Sequence, residues 1–334
     1  MLKKISLPAS LITLAVLIFC AFRVNNAIPT PKLEKQDVYY SYVEGQRILN
    51  GENPYTRILE GDMRANKKYA TYFPLFYELS ALSQKIGLQE YPRWIYYWMI
   101  VFRAFELAIG ALLYWYFMRQ GFEWGGVLAA GFWLFNRWGL RMVATANLDY
   151  LPIFFALAGL MLFPRKKWPA LLFFSLSLAL KQIAIFLAPL FLIWLWHSAE
   201  DTRQKAWQTL KGGALIASMP LLSSLPFLLW NAEGLVKSVL FSATRYADNH
   251  FAAESLDVLM GWQGPAARLP MLALLLGVYL LAFWKKEKNY SAVVLIFIIF
   301  ITFNSVLYEG YMTWLVAFLP LLVQELLPPK SIPS

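Results

Sequence analysis

Ionisable side chains recur where this largely apolar chain passes between its hydrophobic runs. Acidic, basic and histidine residues occupy such positions far apart in sequence: Asp37, Glu44, Asp149, Lys181, Arg245, Asp248, His250 and Glu309. Charged groups beside hydrocarbon are costly, so each of them is a candidate for function. Carboxylates exchange protons and basic groups stabilise negative charge, which favours a catalytic cavity. A solute pathway would use the same residue types.

Each candidate also has a structural interpretation. An acid in a polar stretch can simply be solvated or paired with an arginine. Lys181, close to a helix end, can extend its ammonium to water. Asp149 is equally well placed to cap a helix N-terminus, and His250 can be ordinary polar surface. Arg103 and Glu106 are three residues apart on a predicted helix, which favours an ion pair.

Composition restricts the class of protein. Of 334 residues, 59% are hydrophobic and 15% are charged, whereas an ordinary soluble domain has about 25% charged residues. Ten helices of roughly 20 apolar residues would use about 200 positions, which leaves little room for a soluble nucleotide-binding domain. The net charge of +10 fits basic cytoplasmic loops better than nucleic-acid binding. The single cysteine, Cys20, excludes an internal disulfide and a four-cysteine metal site.

The apolar runs predict an all-α polytopic membrane protein of about ten transmembrane helices in one domain, 1–334. The first run, after Lys3 and Lys4, is interpreted as an uncleaved anchor rather than a signal peptide. Lys181 and Gln182 interrupt a run that is too long for one helix. The predicted spans are Ile5–Phe22, Trp94–Phe117, Glu123–Val143, Leu148–Phe163, two between Trp168 and His197, Thr209–Trp230, Leu269–Trp284, Ser291–Leu307 and Tyr311–Leu327.

Two longer stretches, 23–93 and 231–268, are predicted outer loops. With both termini in the cytoplasm, every alternate short loop is basic, as in 165–167 and 285–288. The run 72–86 is apolar but short and contains charged residues, so we expect an interfacial helix. A span there would invert every later loop and break the charge rule. This topology gathers the charged candidates at the outer face.

The stretch DVYYSYVEGQRILNGENPYTR, 37–57, resembles the first outer loop of the glycosyltransferase C superfamily. More narrowly, it is similar to polyprenyl-phosphate-mannose-dependent mannosyltransferases, which include bacterial multi-pass alpha-mannosyltransferases and the first mannosyltransferase of the GPI-anchor pathway. In that family an aspartate after the first helix precedes a G-x-x-P-Y element, as Asp37 precedes Gly51–Tyr55 here. Further similar segments follow in order at Tyr72–Phe76, Trp133–Leu157, Ser177–Leu192, Arg245–Phe251 and Tyr308–Leu322.

The resemblance implies a membrane glycosyltransferase that acts at the outer face of the plasma membrane, or at the topologically equivalent face of the endoplasmic reticulum membrane. Such an enzyme moves a sugar, with mannose the nearest match, from a polyprenyl-phosphate donor to a lipid or glycan acceptor, with inversion. It implies Asp37 as general base and Lys181, then Arg245 and His250, as ligands of the donor phosphate, although His250 can instead assist the acceptor hydroxyl. The implied sugar or acceptor contacts are Tyr39, Tyr40, Glu44, Tyr72 and Asp149.

No cofactor is expected, and metal dependence is doubted. Many family members carry two acids close together in this loop, whereas Tyr39 and Tyr40 follow Asp37 here, and one carboxylate is a poor divalent site. The expected partners are a polyprenyl-phosphate-linked sugar, a glycolipid or glycan acceptor and membrane lipid, without nucleic acid. Two alternatives stay open: a transporter or lipid flippase, and a non-catalytic subunit of a glycan-assembly complex.

Overall fold

The computed structural model describes residues 7–61, 70–244, 255–262, 265–286, 289–304 and 309–326. Every regular element in these ranges is helical, so the prediction of an all-α protein is confirmed. The α-helices are α1 Leu7–Ala27, α2 Asp37–Leu49, α3 Leu75–Lys85, α4 Tyr91–Met118, α5 Glu123–Phe135, α6 Arg137–Ala144, α7 Tyr150–Leu162, α8 Lys167–Leu180, α9 Ala188–Trp196, α10 Thr202–Thr244, α11 Leu256–Leu259, α12 Leu269–Lys285, α13 Tyr290–Phe303 and α14 Glu309–Leu326. Short 3₁₀ segments cover Leu33–Lys35, Thr56–Leu59, Gln182–Leu187 and Pro265–Arg268.

Several of these helices have the length and composition of membrane spans. Four described helices are long and apolar enough to cross a bilayer: Pro8–Ala27, Tyr91–Met118, Thr202–Phe241 and Ala266–Lys285. Shorter apolar helices of 10–17 residues accompany them, among them α7, α8, α13 and most of α14. These helices indicate a membrane protein, while the path of ten crossings stays a prediction.

The predicted interruption at Lys181 and Gln182 is confirmed. Helix α8 ends at Leu180, and Lys181 has extended backbone angles (φ −157°, ψ 124°). The 3₁₀ segment Gln182–Leu187 then leads into α9. The lysine therefore lies at a junction of two apolar helices and not inside either one.

In two predicted segments, an asparagine begins a helix that the sequence did not predict. The predicted span Glu123–Val143 is divided at Asn136, whose Oδ1 accepts the Gly139 N–H at 2.7 Å and so begins α6. The predicted helix end at Trp230 is confirmed, because the helical backbone of α10 is interrupted at Asn231 (φ −158°, ψ 86°). The predicted loop 231–268 is wrong in its first part, which forms a second helical half of α10 up to Thr244, and Asn231 caps this half through the Gly234 N–H at 2.9 Å.

The run 72–86, predicted to be interfacial, contains helix α3. Its 11 residues extend about 16 Å, which is too short to cross a bilayer. Helix α3 packs on α2 at Gly45, where an added Cβ would lie 2.5 Å from Ser80 Oγ and 2.7 Å from Gln84 Nε2. Gln84 Nε2 also donates to the carbonyl of Tyr42 at 3.0 Å. Helices α2 and α3 therefore form one tightly packed pair.

The end of α1 is fastened to the middle of α4. Arg103 Nη1 donates to Asn26 Oδ1 at 2.6 Å, and the carboxylate of Glu106 accepts a hydrogen bond from Asn25 Nδ2. Arg103 and Glu106 were predicted to pair with each other, but each binds α1 instead. Because α4 begins at Tyr91, it continues about 18 Å beyond the level at which α1 ends.

Replacement of Gly45 by alanine should separate α2 from α3. The added methyl group has no room against Ser80 and Gln84, so we expect a loss of about 1–3 kcal/mol, typical of overpacking. The loss would appear as a lower thermal midpoint of the detergent-solubilised protein. The control is Gly277→Ala in α12, where no atom lies within 4 Å of the added Cβ, and alanine should be neutral or stabilising by up to about 1 kcal/mol. Equal midpoints for both variants would contradict the tight contact.

Candidate functional site

One small cavity gathers residues from four separate parts of the chain. Its volume is about 50 Å³, and its lining residues are Gln36, Asp37, Val38, Tyr72, Thr145, Asn147, Leu148 and Lys181. Asp37 is exposed at the start of α2, whereas Lys181 is buried. The structure thus brings together three of the predicted site residues, Asp37, Tyr72 and Lys181. The volume accommodates a few water molecules or a comparably small polar group.

Lys181 is held on several sides at the inner wall of this cavity. Its side-chain ammonium donates a hydrogen bond to Asp149 Oδ1. It also lies 5.2 Å from the ring centroid of Tyr72 and 5.7 Å from that of Tyr311, within the range of a cation–π attraction. With only 7% of its surface exposed, Lys181 does not extend into bulk water as the snorkelling alternative requires.

Asp149 lies behind Lys181 and does not line the cavity. It occupies the N-cap position of α7, but its side chain forms no capping hydrogen bond. The backbone N–H of Asp149 is bound by Asn147 Oδ1 at 3.0 Å. A Cβ added to Gly310, in the first turn of α14, would lie 3.3 Å from Asp149 Oδ2. The carboxylate is therefore enclosed between the lysine and the start of α14.

The turn after α6 supplies the cavity wall that sequence reasoning missed. Ala146 has a left-handed backbone (φ 49°), and its N–H bonds to Val143 O while that of Asn147 bonds to Met142 O. This is the Schellman pattern that ends helices, usually with glycine at the left-handed position. Alanine there costs roughly 1–2 kcal/mol. The strained turn directs Thr145 and Asn147 to the cavity.

Tyr72 is held through its backbone. Tyr55 Oη donates to the carbonyl of Tyr72 at 2.8 Å, and Gln182 Nε2 donates to the carbonyl of Thr71 at 2.6 Å. Tyr55 itself is fully buried in a cluster with Tyr77, Phe227, Leu235 and Ala70. The G-x-x-P-Y element noted in the sequence therefore acts here as an anchor for the segment that carries Tyr72.

The remaining predicted contacts on α2 lie outside the cavity lining. The Tyr39 ring packs edge-on against Tyr91 at 5.0 Å and against Tyr40 at 5.8 Å. Glu44 is buried, and its carboxylate lies 3.2 Å from Arg57 Nη1 and 3.5 Å from Arg47 Nε. Burial raises the pKa of Glu44 to about 7, although both arginines oppose that rise. The structure places Glu44 in the packing between α2 and the 3₁₀ segment Thr56–Leu59.

Two predicted phosphate ligands, Arg245 and His250, lie outside the described residues. Among the residues that are described, no group of three or more His, Cys, Asp or Glu side chains could hold a metal ion. The charges at the described cavity are therefore those of Asp37, Lys181 and, behind it, Asp149.

This arrangement has the parts of a site for a hydroxyl-bearing ligand. An exposed carboxylate can accept a proton, and a buried ammonium beside an asparagine amide and a threonine can donate hydrogen bonds. Comparison with known proteins adds no relative: no protein-family model matches the chain, and no curated protein matches it.

Removal of the Lys181 charge should destabilise the protein strongly. Lys181→Met leaves the Asp149 carboxylate buried without its cation, and the expected loss is about 3–5 kcal/mol. The double variant Lys181→Met/Asp149→Leu removes both charges and should recover most of that stability. As a control, Lys237→Met breaks an exposed pair with Glu233 and should change little. A double variant as unstable as the single one would contradict the paired burial; the measurement is chemical or thermal unfolding.

Glu44 should make stability fall with rising pH. Its pKa is higher in the folded state, about 7, than in the unfolded chain, where it is near 4.5. The folded state therefore binds the proton more tightly, and stability decreases from about pH 4.5 to pH 7 and then levels off. Glu44→Gln should flatten this part of the pH profile of the thermal midpoint. The exposed Glu90→Gln should keep the wild-type slope, and an unchanged slope in Glu44→Gln would refute the assignment.

Proposed function

We propose that this protein is a membrane glycosyltransferase that transfers a sugar from a polyprenyl-phosphate donor to an acceptor hydroxyl. The observation that carries the proposal is the shared cavity of Asp37 and Lys181, which lie 144 positions apart in the chain. In such a transfer a carboxylate can deprotonate the acceptor hydroxyl, and an ammonium can stabilise the departing phosphate. The sequence resemblance to polyprenyl-phosphate-mannose-dependent mannosyltransferases favours mannose as the sugar.

Asp37 is the proposed general base. It is exposed at the cavity, so an acceptor hydroxyl can approach it without entering the protein core. Asp37 takes the proton of that hydroxyl, whose oxygen forms a bond to the anomeric carbon as the bond from that carbon to the phosphate oxygen breaks. Attack opposite the leaving phosphate inverts the anomeric configuration, and the lipid phosphate departs with the bonding electrons.

Lys181 is the proposed donor to the departing phosphate. Its ammonium is fixed before the substrate arrives, because Asp149, Tyr72 and Tyr311 surround it, and such preorganised charge is effective in catalysis. Asp149 neutralises part of the positive charge of Lys181, so binding of the donor phosphate requires further cations. Arg245 and His250 are the proposed source of these.

The other predicted contacts take narrower roles in this proposal. Tyr72 lines the cavity and can contact the transferred sugar, and Asn147 and Thr145 can bind its hydroxyls. Asp149 acts through Lys181 rather than on the sugar, while Glu44 contributes to the outer-loop packing. Tyr39 and Tyr40 are proposed to contact the acceptor beyond the cavity.

The proposed setting is the outer face of the plasma membrane, with ten crossings and both termini in the cytoplasm. The cavity residues then belong to the outer surface, together with α2 and α3 as interfacial helices. A donor that diffuses in the bilayer presents its sugar there, so no nucleotide-binding domain and no cofactor are required. Membrane lipid is the surrounding partner, and a glycolipid or glycan supplies the hydroxyl.

Asp37→Asn should abolish transfer while leaving the fold intact. The amide keeps the size of the side chain but cannot accept the proton, and loss of a general base lowers the rate by about 10²–10⁴-fold. The assay measures transfer of radiolabelled mannose from polyprenyl-phosphate mannose by the purified protein in liposomes. The exposed Glu60→Gln is the matched control and should retain full activity. Full activity of Asp37→Asn would exclude Asp37 as the base. If the wild-type protein consumes no donor, the proposed enzyme activity is excluded, and a transporter or a non-catalytic subunit remains.

A further inference from the structure

A second, larger recess lies on the other side of the segment that leads into α2. It has a volume of about 470 Å³, within the range of small-molecule sites. Its walls are the connection after α1 and the first turns of α4; the lining residues are Thr30, Pro31, Lys32, Leu33, Glu34, Tyr91, Pro92, Ile95, Tyr96 and Met99. We call it the α4 groove.

The α4 groove runs along the helix axis. Tyr91, Ile95 and Met99 are four residues apart, and so are Pro92 and Tyr96, so these residues form adjacent rows on one face of α4. The rows extend about 12 Å along the helix. Their side chains are apolar or aromatic, which suits a hydrocarbon chain.

The groove extends from the level at which a membrane span ends to the level of the proposed base, and a lipid substrate has to connect these two levels. Helix α1 ends beside Arg103, through the hydrogen bond from Asn26. Met99 lies about 6 Å beyond that level and Tyr91 about 18 Å beyond it. Tyr91 in turn packs against Tyr39, two residues after Asp37, at 5.0 Å. The groove therefore leads from the end of a membrane span up to the level of the proposed base.

The same short segment borders both recesses. Leu33 and Glu34 line the α4 groove, and Gln36, Asp37 and Val38 line the cavity. A molecule whose chain lies in the groove needs to pass only these few residues to bring a hydroxyl to Asp37. Lys32 and Glu34 at the rim supply polar contacts for the junction between chain and sugar.

We infer that the α4 groove binds the apolar chain of the acceptor, and that the acceptor of the proposed transfer is a lipid-linked sugar. The assignment of this lipid as the acceptor rests on the proposed function, whereas the binding of a lipid chain in the groove does not depend on that function. A soluble glycan or a protein acceptor has no chain to lie in the groove. A chain bound in the groove then positions the sugar of the acceptor at Asp37. The contacts of the chain supply binding energy at a distance from the reacting atoms.

The first test uses alkyl α-mannosides with methyl, octyl and dodecyl chains as acceptors. If the chain binds in the groove, KM of the wild type should fall by at least about tenfold from methyl to dodecyl, because each buried methylene strengthens binding, with little change in kcat. Met99→Trp fills the groove and should remove this dependence. The matched control is Tyr97→Trp, at an exposed position of α4 outside both rows of the groove, which should keep this dependence. A KM independent of chain length, or the same loss in both variants, would overturn the acceptor assignment.

The second test does not depend on activity. Dodecyl α-mannoside with a diazirine at the chain end is irradiated with the full-length protein in liposomes, and the labelled peptides are mapped. Labels at 30–34 or 91–99 that disappear in Met99→Trp support the groove, while labels confined to other helices overturn it. If the groove is labelled but Asp37-dependent transfer is absent, the proposed function fails and the lipid site stands. If transfer proceeds and labelling lies elsewhere, the groove alone fails.

Discussion

The buried ion pair between Lys181 and Asp149 is the interaction around which the site is arranged. An ammonium at 7% exposure is tolerated only where a carboxylate and further contacts replace its water. Here a carboxylate, two tyrosine rings and the start of α14 provide that environment. The helix α8 must end just before the lysine for this to occur, since only an extended residue places its side chain between α7 and α14. The break in the apolar run and the buried pair are therefore one structural feature.

Helices α2 and α3 complete the site by a second set of constraints. Helix α2 brings Asp37 to the cavity, and its position depends on the glycine contact with α3 and on the aromatic packing against α4. Tyr55, buried under the second half of α10, holds the carbonyl of Tyr72. The cavity wall is thus assembled from parts of the chain that are distant in sequence, each fixed by its own buried contact.

Several features of the fold were accessible from the sequence because they depend on local composition. The interruption at Lys181 and Gln182 was visible since a charged and a neutral polar residue divide an apolar run that is too long for one helix. The short helix within 72–86 was visible since its apolar run is too brief for a span. The break at Asn136 was missed, although Arg137 and Arg141 follow it, because the cap depends on one side chain turning back to Gly139. The second helical half of α10, after Asn231, was missed because its polar residues resemble a loop and its packing depends on the close approach of Gly234 to the backbone of Tyr55.

The sequence by itself determined the helical class, the membrane character and the identity of the charged residues at helix ends, because hydropathy and helix-breaking residues act over short distances. It also singled out Asp37, Tyr72 and Lys181 separately. Only the tertiary structure decided that these three share a cavity, that Asp149 supports the lysine instead of capping α7, and that Glu44 is buried beside Arg57. Thr145 and Asn147 entered the site for the same reason. Which side chains meet depends on how helices pack across long separations in sequence, and no local pattern contains that information.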